Sequence, residues 1–247
     1  MPKRPYKRII SLVPSLTELL IDLGLEDQLI GRTRFCIHPK KSVKDIEIVG
    51  GTKNPNIEKI IGFEPDLIVA NKEENRKEDI SNLEKHADTL LTEINTVEEA
   101  LFEIDRIGRK TGTAKQAQKL ITKINRVLQQ KPGSKATQTA YFIWKDPWMT
   151  VGSDTYIHDV MKKYGLINIY GDQLRYPTTT LEELSNLSPE LILLSSEPYP
   201  FKEKHIKEIK THCPNSRIEL VDGEWFSWYG SRMISSFESL NAWSTDL

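Results

Sequence analysis

Cysteine is scarce in this sequence of 247 residues: Cys36 and Cys213 are the two, far apart and outside any CxxC spacing. That excludes a disulfide framework and a zinc ribbon, and two unpaired thiols fit a reducing compartment or buried, inert side chains. Excess charge of one sign is also missing, with 34 Lys plus Arg against 35 Asp plus Glu. Nothing attracts a polyphosphate backbone, so nucleic acid is not an expected partner, and a membrane surface is equally unsupported. No window approaches the roughly 20 apolar residues of a membrane span. The charged start, residues 1–8, resembles the beginning of a secretory leader. The apolar run behind it, Ile9 to Val13, is broken by Ser11 and falls short of the roughly 7 to 15 apolar residues a leader needs. As written, the chain reads as cytoplasmic or as having lost a leader.

Catalytic signatures are missing too: there is no GxSxG elbow, no GxGxxG after a strand and no HExxH. Residues 108–113 resemble a phosphate loop but lack the Gly-Lys-Ser/Thr ending and follow a helical stripe, so they read as a helix break. Among the five histidines no pair has the i, i+4 spacing of a helical metal site. Cys36 and His38 form the one close Cys/His pair. In an extended segment both would face one side, open either to a metal or corrin-metal contact or to a packed thiol beside a loop histidine.

What is present is an alternation of strand-like and helix-like runs, the pattern of an α/β protein with mainly parallel sheets. Arg8 to Val13 reads as a first strand. Pro14 to Gly24 reads as a helix, with Ser15 and Glu18 as a capping box and Gly24 as the stop. One segment occurs twice: Ile57 aligns with Leu181 and Ala70 with Leu194, a constant offset of 124 residues. Each copy is a short amphipathic helix, a proline, an acidic residue and an apolar run suited to a buried parallel strand. Half a chain length separates the copies, which predicts two similar α/β lobes, residues 1–110 and 133–247. Between them, Val97, Ala100, Leu101, Ile104 and Ile107 follow a helical period. After a break at Gly112, a second stripe runs from Ala117 to Leu128. A backbone helix over residues 111–132 joins the lobes in this reading. Its helical core of 113–130 is about 27 Å long, a stiff connector that allows small lobe movement only.

The second lobe opens with a strand at Ala140 to Trp144, followed by a helix from Ile157 to Tyr164, the repeat, a strand at Arg217 to Val221 and a closing helix from Met233 to Trp243. Several aromatics stand after strands instead of at core spacing. Residues 224–232 hold Trp225, Phe226, Trp228, Tyr229 and Arg232, and Trp148 follows an earlier strand. Ligands of open α/β sheets bind outside the carboxyl ends of the strands. A flat aromatic surface with one cationic donor suits a large, partly apolar ligand with polar edges. Packing under the last helix is the competing role for Phe226 and, less so, Trp225 and Trp228. The first lobe offers Phe35, Cys36 and His38, and then Thr52 and Lys53 behind a Gly-Gly pair that fits either a tight turn or a ligand-facing loop.

These residues resemble the substrate-binding proteins of bacterial ABC importers for cobalamin, haem and iron-siderophores. Residues 8–19 look like that family's opening strand and helix, residues 63–70 like its most recognisable internal motif, and residues 225–232 like its late ligand loop. Cobalamin binders look closest, because Phe35 falls where they carry a ligand-contacting aromatic. Gly51, Thr52 and Lys53 replace an aromatic expected after Val49. The resemblance implies no catalysis and no required cofactor. It implies a bound metal chelate in a cleft between the lobes, corrinoid first with siderophore or haem as alternatives. It further implies a monomer, an extracytoplasmic location and a permease partner. Docking acids at matching places would be Glu73, Glu74 and Glu78 after the first repeat strand, and Glu197 and Glu203 after the second. A cytoplasmic chelate carrier, or a cofactor-holding enzyme subunit on the same scaffold, stands as the alternative.

Overall fold

In the computed structural model, which describes residues 6–133 and 135–246, both copies of the repeat form a helix, a left-handed residue and a buried strand. The helices are Ile57–Gly62 and Leu181–Leu187, the strands Leu67–Asn71 and Leu191–Ser195. Asn56 and Thr180, again 124 residues apart, cap the helices by accepting the N–H groups of Lys59 and Glu183. A proline disfavours the right-handed helical backbone in the residue before it. Glu64 and Ser188 accordingly stand at φ 45° and 46°, and their N–H groups close the helix on the carbonyls of Ile61 and Ser185. The acid after the proline then ties down the start of the neighbouring strand. Asp66 accepts from the N–H groups of Lys7 at 2.8 Å and Arg8 at 2.9 Å, and Glu190 from that of Gln138 at 3.3 Å. The repeated signature is therefore a device for stopping a helix and aligning two strands. The leader-like residues 1–5 lie outside the described residues.

The chain divides into two compact units. The first comprises residues 1–94, 98–125 and 229–232, the second 95–97, 126–228 and 233–247. In the first, β1 (Ile9–Ser11), α1 (Pro14–Asp22), β2 (Leu29–Arg32), α2 (Lys40–Val43), β3 (Glu47–Ile48), α3 (Ile57–Gly62), β4 (Leu67–Asn71), α4 (Lys77–Leu83) and β5 (Asp88–Thr92) alternate. The strands form an all-parallel sheet in the order β3-β2-β1-β4-β5. Ile10, Leu12, Ile60, Ile68, Ala70 and Leu83 make a fully buried core on one face. The α1 start differs from the expected capping box. Pro14 takes the first helical position and Val13 the cap, with no side-chain cap, because proline's fixed φ and missing N–H suit a helix start. Gly24 does end the helix, at φ 86°. Two further helices follow, α5 (Val97–Thr111) and α6 (Ala114–Gln129), separated at Gly112, whose φ is 80°. Residues 108–113 are thus a helix end. Gly108 lies so close to Ala117 that a methyl group there would stand 2.4 Å from that side chain.

In the second unit, β6 (Thr137–Trp144), β7 (Trp148–Thr150), α7 (Tyr156–Lys163), β8 (Leu166–Asn168), β9 (Thr178–Thr179), α8 (Leu181–Leu187), β10 (Leu191–Ser195), α9 (Glu203–Lys210), β11 (Arg217–Val221), α10 (Glu224–Ser227) and α11 (Met233–Trp243) follow in order. The sheet runs β11-β10-β6-β7-β9, with β8 also on β6. β11, β10, β6 and β8 are parallel, while β7 and β9 run antiparallel to their neighbours. The expected two α/β lobes with mainly parallel sheets are what the chain forms, one sheet all parallel and one mixed. Ala140, Phe142, Leu184, Ile192, Leu194 and Ile209 centre the second core.

Candidate functional site

The carboxyl ends of β1, β3, β4 and β5 are organised by amides that no sequence pattern announces. Asn71 donates to Thr92 Oγ1 at 3.0 Å and receives the N–H groups of Glu73 and Glu74 on its Oδ1. Asn75 accepts the Asn71 N–H and donates to the carbonyls of Thr52 at 3.0 Å and Leu12 at 3.3 Å. Both amides are buried, and because buried polar groups must be paired, they fix the loops they touch. Thr52 is buried, and the Lys53 ammonium donates to the Glu73 carbonyl. Gly50, at φ 110°, starts a tight turn bridged to Pro55. A side chain on Gly51 would strike Asn54, so the Gly-Gly pair serves the turn.

Arg34 N–H donates to the Gly50 carbonyl at 2.9 Å, joining the loop after β2 to that turn. On this loop Phe35 is 54% exposed. Its neighbour Cys36 is fully buried, with Sγ 3.0 Å from Thr17 Oγ1 and 3.1 Å from Thr33 Oγ1. Burial pushes that thiol up, against hydrogen bonds from Thr17 and Thr33. Cys36 and His38 thus do not share an exposed side as alternation predicts: a turn closed by the Cys36 N–H on the Thr33 carbonyl rotates the thiol inward, while His38 is half-buried. Among the described residues no three His, Cys, Asp or Glu side chains converge to hold a metal ion.

Of the expected acidic residues here, Glu73 and Glu74 are partly buried and Glu78 is exposed, 3.9 Å from Arg76. Burial raises Glu74 above the usual carboxylate range, with Lys53 opposing and Glu73 adding to the shift. Tyr229 and Arg232, expected in the second lobe, belong to the first unit. Tyr229 is buried. The Arg232 guanidinium holds both carboxylate oxygens of Glu18, at 2.8 and 2.7 Å. The cation read as a ligand donor is neutralised by the residue read as half of a capping box.

In the second unit Trp148 lies in the core, stacked on Phe201 at 5.9 Å and edge-on to Phe142 at 5.4 Å. Phe226 is fully buried between Tyr141 and Trp243, the packing role weighed for it. Trp228 is buried, and Trp225, on the single turn of α10, is half-buried. Glu197 accepts from Ser227 Oγ at 3.0 Å. Glu203 is exposed in the first turn of α9. Sequence reasoning missed Trp144, a residue 40% exposed that ends β6 with its ring edge-on to Tyr199 at 5.6 Å. Its place beside Trp148 in a hairpin was the available signal.

Residues 9–215 match the family model described as periplasmic binding protein. The chain is 29% identical over 256 residues to the ABC transporter substrate-binding lipoprotein YvrC of Bacillus subtilis, covering 96% of this chain and 80% of that one. It is 26% identical over 197 residues to the vitamin B12-binding protein of Vibrio cholerae, covering 77% and 71%. The crystal structure of the periplasmic vitamin B12 binding protein BtuF of Vibrio cholerae superposes with a TM-score of 0.84 at 21% identity, covering 98% of each chain.

Proposed function

We propose, from the premise that this chain belongs to the periplasmic binding protein family, that it is the substrate-binding component of an ABC importer for a metal chelate, a corrinoid first. The family is one of binding proteins and not of enzymes. A vitamin B12-binding protein and an importer lipoprotein among the relatives support this chelate class, an extracytoplasmic location and a permease partner.

Phe35 carries the ligand reading. It is a large apolar ring left in water on a loop whose neighbours are hydrogen-bonded in place, at the carboxyl end of a parallel sheet. Trp225 and the Lys53 region are the further contacts we assign, and Glu73, Glu78 and Glu203 the acids that meet basic residues of the permease. Capture by such pre-fixed loops makes and breaks no bond, and the low ordering cost favours affinity.

The purified chain should quench its tryptophan fluorescence and shift the absorbance of cyanocobalamin, while haemin and a ferric siderophore serve as competing probes. Phe35→Ala should weaken the bound probe about tenfold. Binding of none of the three probes overturns the reading, and preference for haemin or the siderophore reassigns the cargo within the class.

A further inference from the structure

The geometry points to Trp144, and not Trp148, as the ligand-contacting aromatic of the hairpin that follows the central strand of the second sheet. This rests on the chelate-binding reading above and extends it to a residue the sequence patterns did not single out.

The two tryptophans flank the turn between β6 and β7 and face opposite fates. Trp148 closes the core, and the Lys145 ammonium sits 4.9 Å above its ring while pairing with Glu208 at 2.9 Å. That arrangement anchors the root of the hairpin and leaves Trp148 nothing to offer a solute. Trp144 is the last residue of β6 and keeps 40% of its surface in water.

Trp144 is also held in place. Its ring meets Tyr199 edge-on, Tyr199 meets Phe201 at 4.8 Å and His205 at 5.5 Å, and Phe201 stacks on Trp148. The Tyr199 N–H donates to the Ile143 carbonyl at 3.3 Å, and the Tyr199 hydroxyl lies 3.3 Å from His205 Nε2. The His205 Nδ1 accepts the Lys202 N–H at 2.9 Å. A ladder of rings therefore runs from the core to the surface and ends in one exposed indole.

Among the described residues of this unit the other large exposed apolar side chains are Ile167, Leu174, Leu187 and Leu220, none of them aromatic. Ile167 pairs with the amino-terminal part of β6 and Leu187 lies just before β10, at the end of the sheet away from the strand tips. Trp144 is at the carboxyl end, where α/β sheets bind ligands. A pre-oriented indole there offers a flat face to the apolar edge or conjugated plane of a chelate with little ordering cost.

The experiment titrates cyanocobalamin, haemin and a ferric hydroxamate siderophore into wild type, Trp144→Ala, Trp144→Phe and Trp148→Phe, each checked for native fold by circular dichroism. Trp144→Ala should lose about tenfold or more in affinity for the bound probe. Trp144→Phe should retain most of it, and Trp148→Phe should bind as wild type with a lower melting temperature. A folded Trp144→Ala variant with wild-type affinity overturns the inference and leaves the functional reading standing. A wild type that binds none of the probes overturns both.

Discussion

An arginine whose charge is already spent cannot also be a strong ligand donor. Arg232 makes a two-pronged pair with Glu18, and the two side chains are 19% and 12% exposed. Removing the cation strands a nearly buried carboxylate, which costs more than the pair is worth. Arg232→Ala should lower unfolding free energy in urea by about 1–3 kcal/mol, whereas joint replacement with Glu18→Gln should recover part of the loss. Equal stability of Arg232→Ala and wild type would remove the pair from the list of structural determinants. Neither partner's role is legible locally. Glu18 sits three residues after Ser15 and so mimics a capping box, and Arg232 follows a run of aromatics and so mimics a ligand loop. Phe35 is different, because its exposure follows from a turn that its own neighbours close.

At the scale of the element, the repeat was readable and its mechanism was not. Helix, proline, acid and strand are visible as residue types at fixed spacing. The left-handed backbone at Glu64 and Ser188 and the strand-start clamp by Asp66 and Glu190 need partners elsewhere in the chain. A non-glycine residue in the left-handed region carries roughly 1 kcal/mol of strain, and glycine relieves it at some entropic cost. Ser188→Gly should therefore be neutral or stabilising by up to about 0.5 kcal/mol. Asp66→Ala should destabilise by about 1–2 kcal/mol, since two backbone N–H groups lose a charged acceptor. Thermal unfolding of the two variants checks the pair, and a larger loss for Ser188→Gly than for Asp66→Ala would refute the mechanism. Other elements were illegible for a plain reason. β3 and β9 have two residues each and β7 and β8 three, too few to show a period. The opposite placement of Trp144 and Trp148 depends on the path of the turn between them, where Asp146 has φ 65°.

At the scale of the whole molecule, burial of acidic protons makes the fold sensitive to alkali. The phenols of Tyr141 and Tyr164 are held above the usual range by burial. Below the ordinary phenol value of about 10 both folded and unfolded chains keep these protons, and the phenols leave stability unchanged. Above it the unfolded chain releases them while the folded chain retains them, so stability falls as pH rises. Urea midpoints should begin to fall from about pH 9, where the unfolded chain releases the proton that burial holds on the Cys36 thiol, and decline more steeply from about pH 10, and Tyr164→Phe should reduce the slope above that point. A level profile to pH 11 would contradict this. The class of fold and its two-lobed division were legible because a repeat and an alternation of periods extend over the chain. The assignment of residues 229–232 to the first unit was not, since it rests on a contact with no counterpart nearby in sequence.

That contact has a consequence in time. Glu18 and Arg232 are 214 residues apart, and a ribosome adding about 5–20 residues per second delivers the arginine roughly 10–40 s after the glutamate. The lobe begun first therefore stays incomplete until residue 232, when all of the second but its closing segment has been made. Throughout synthesis its opening helix carries an acid still waiting for its counter-ion, and a chain released early, before residue 232, leaves that helix permanently short of it.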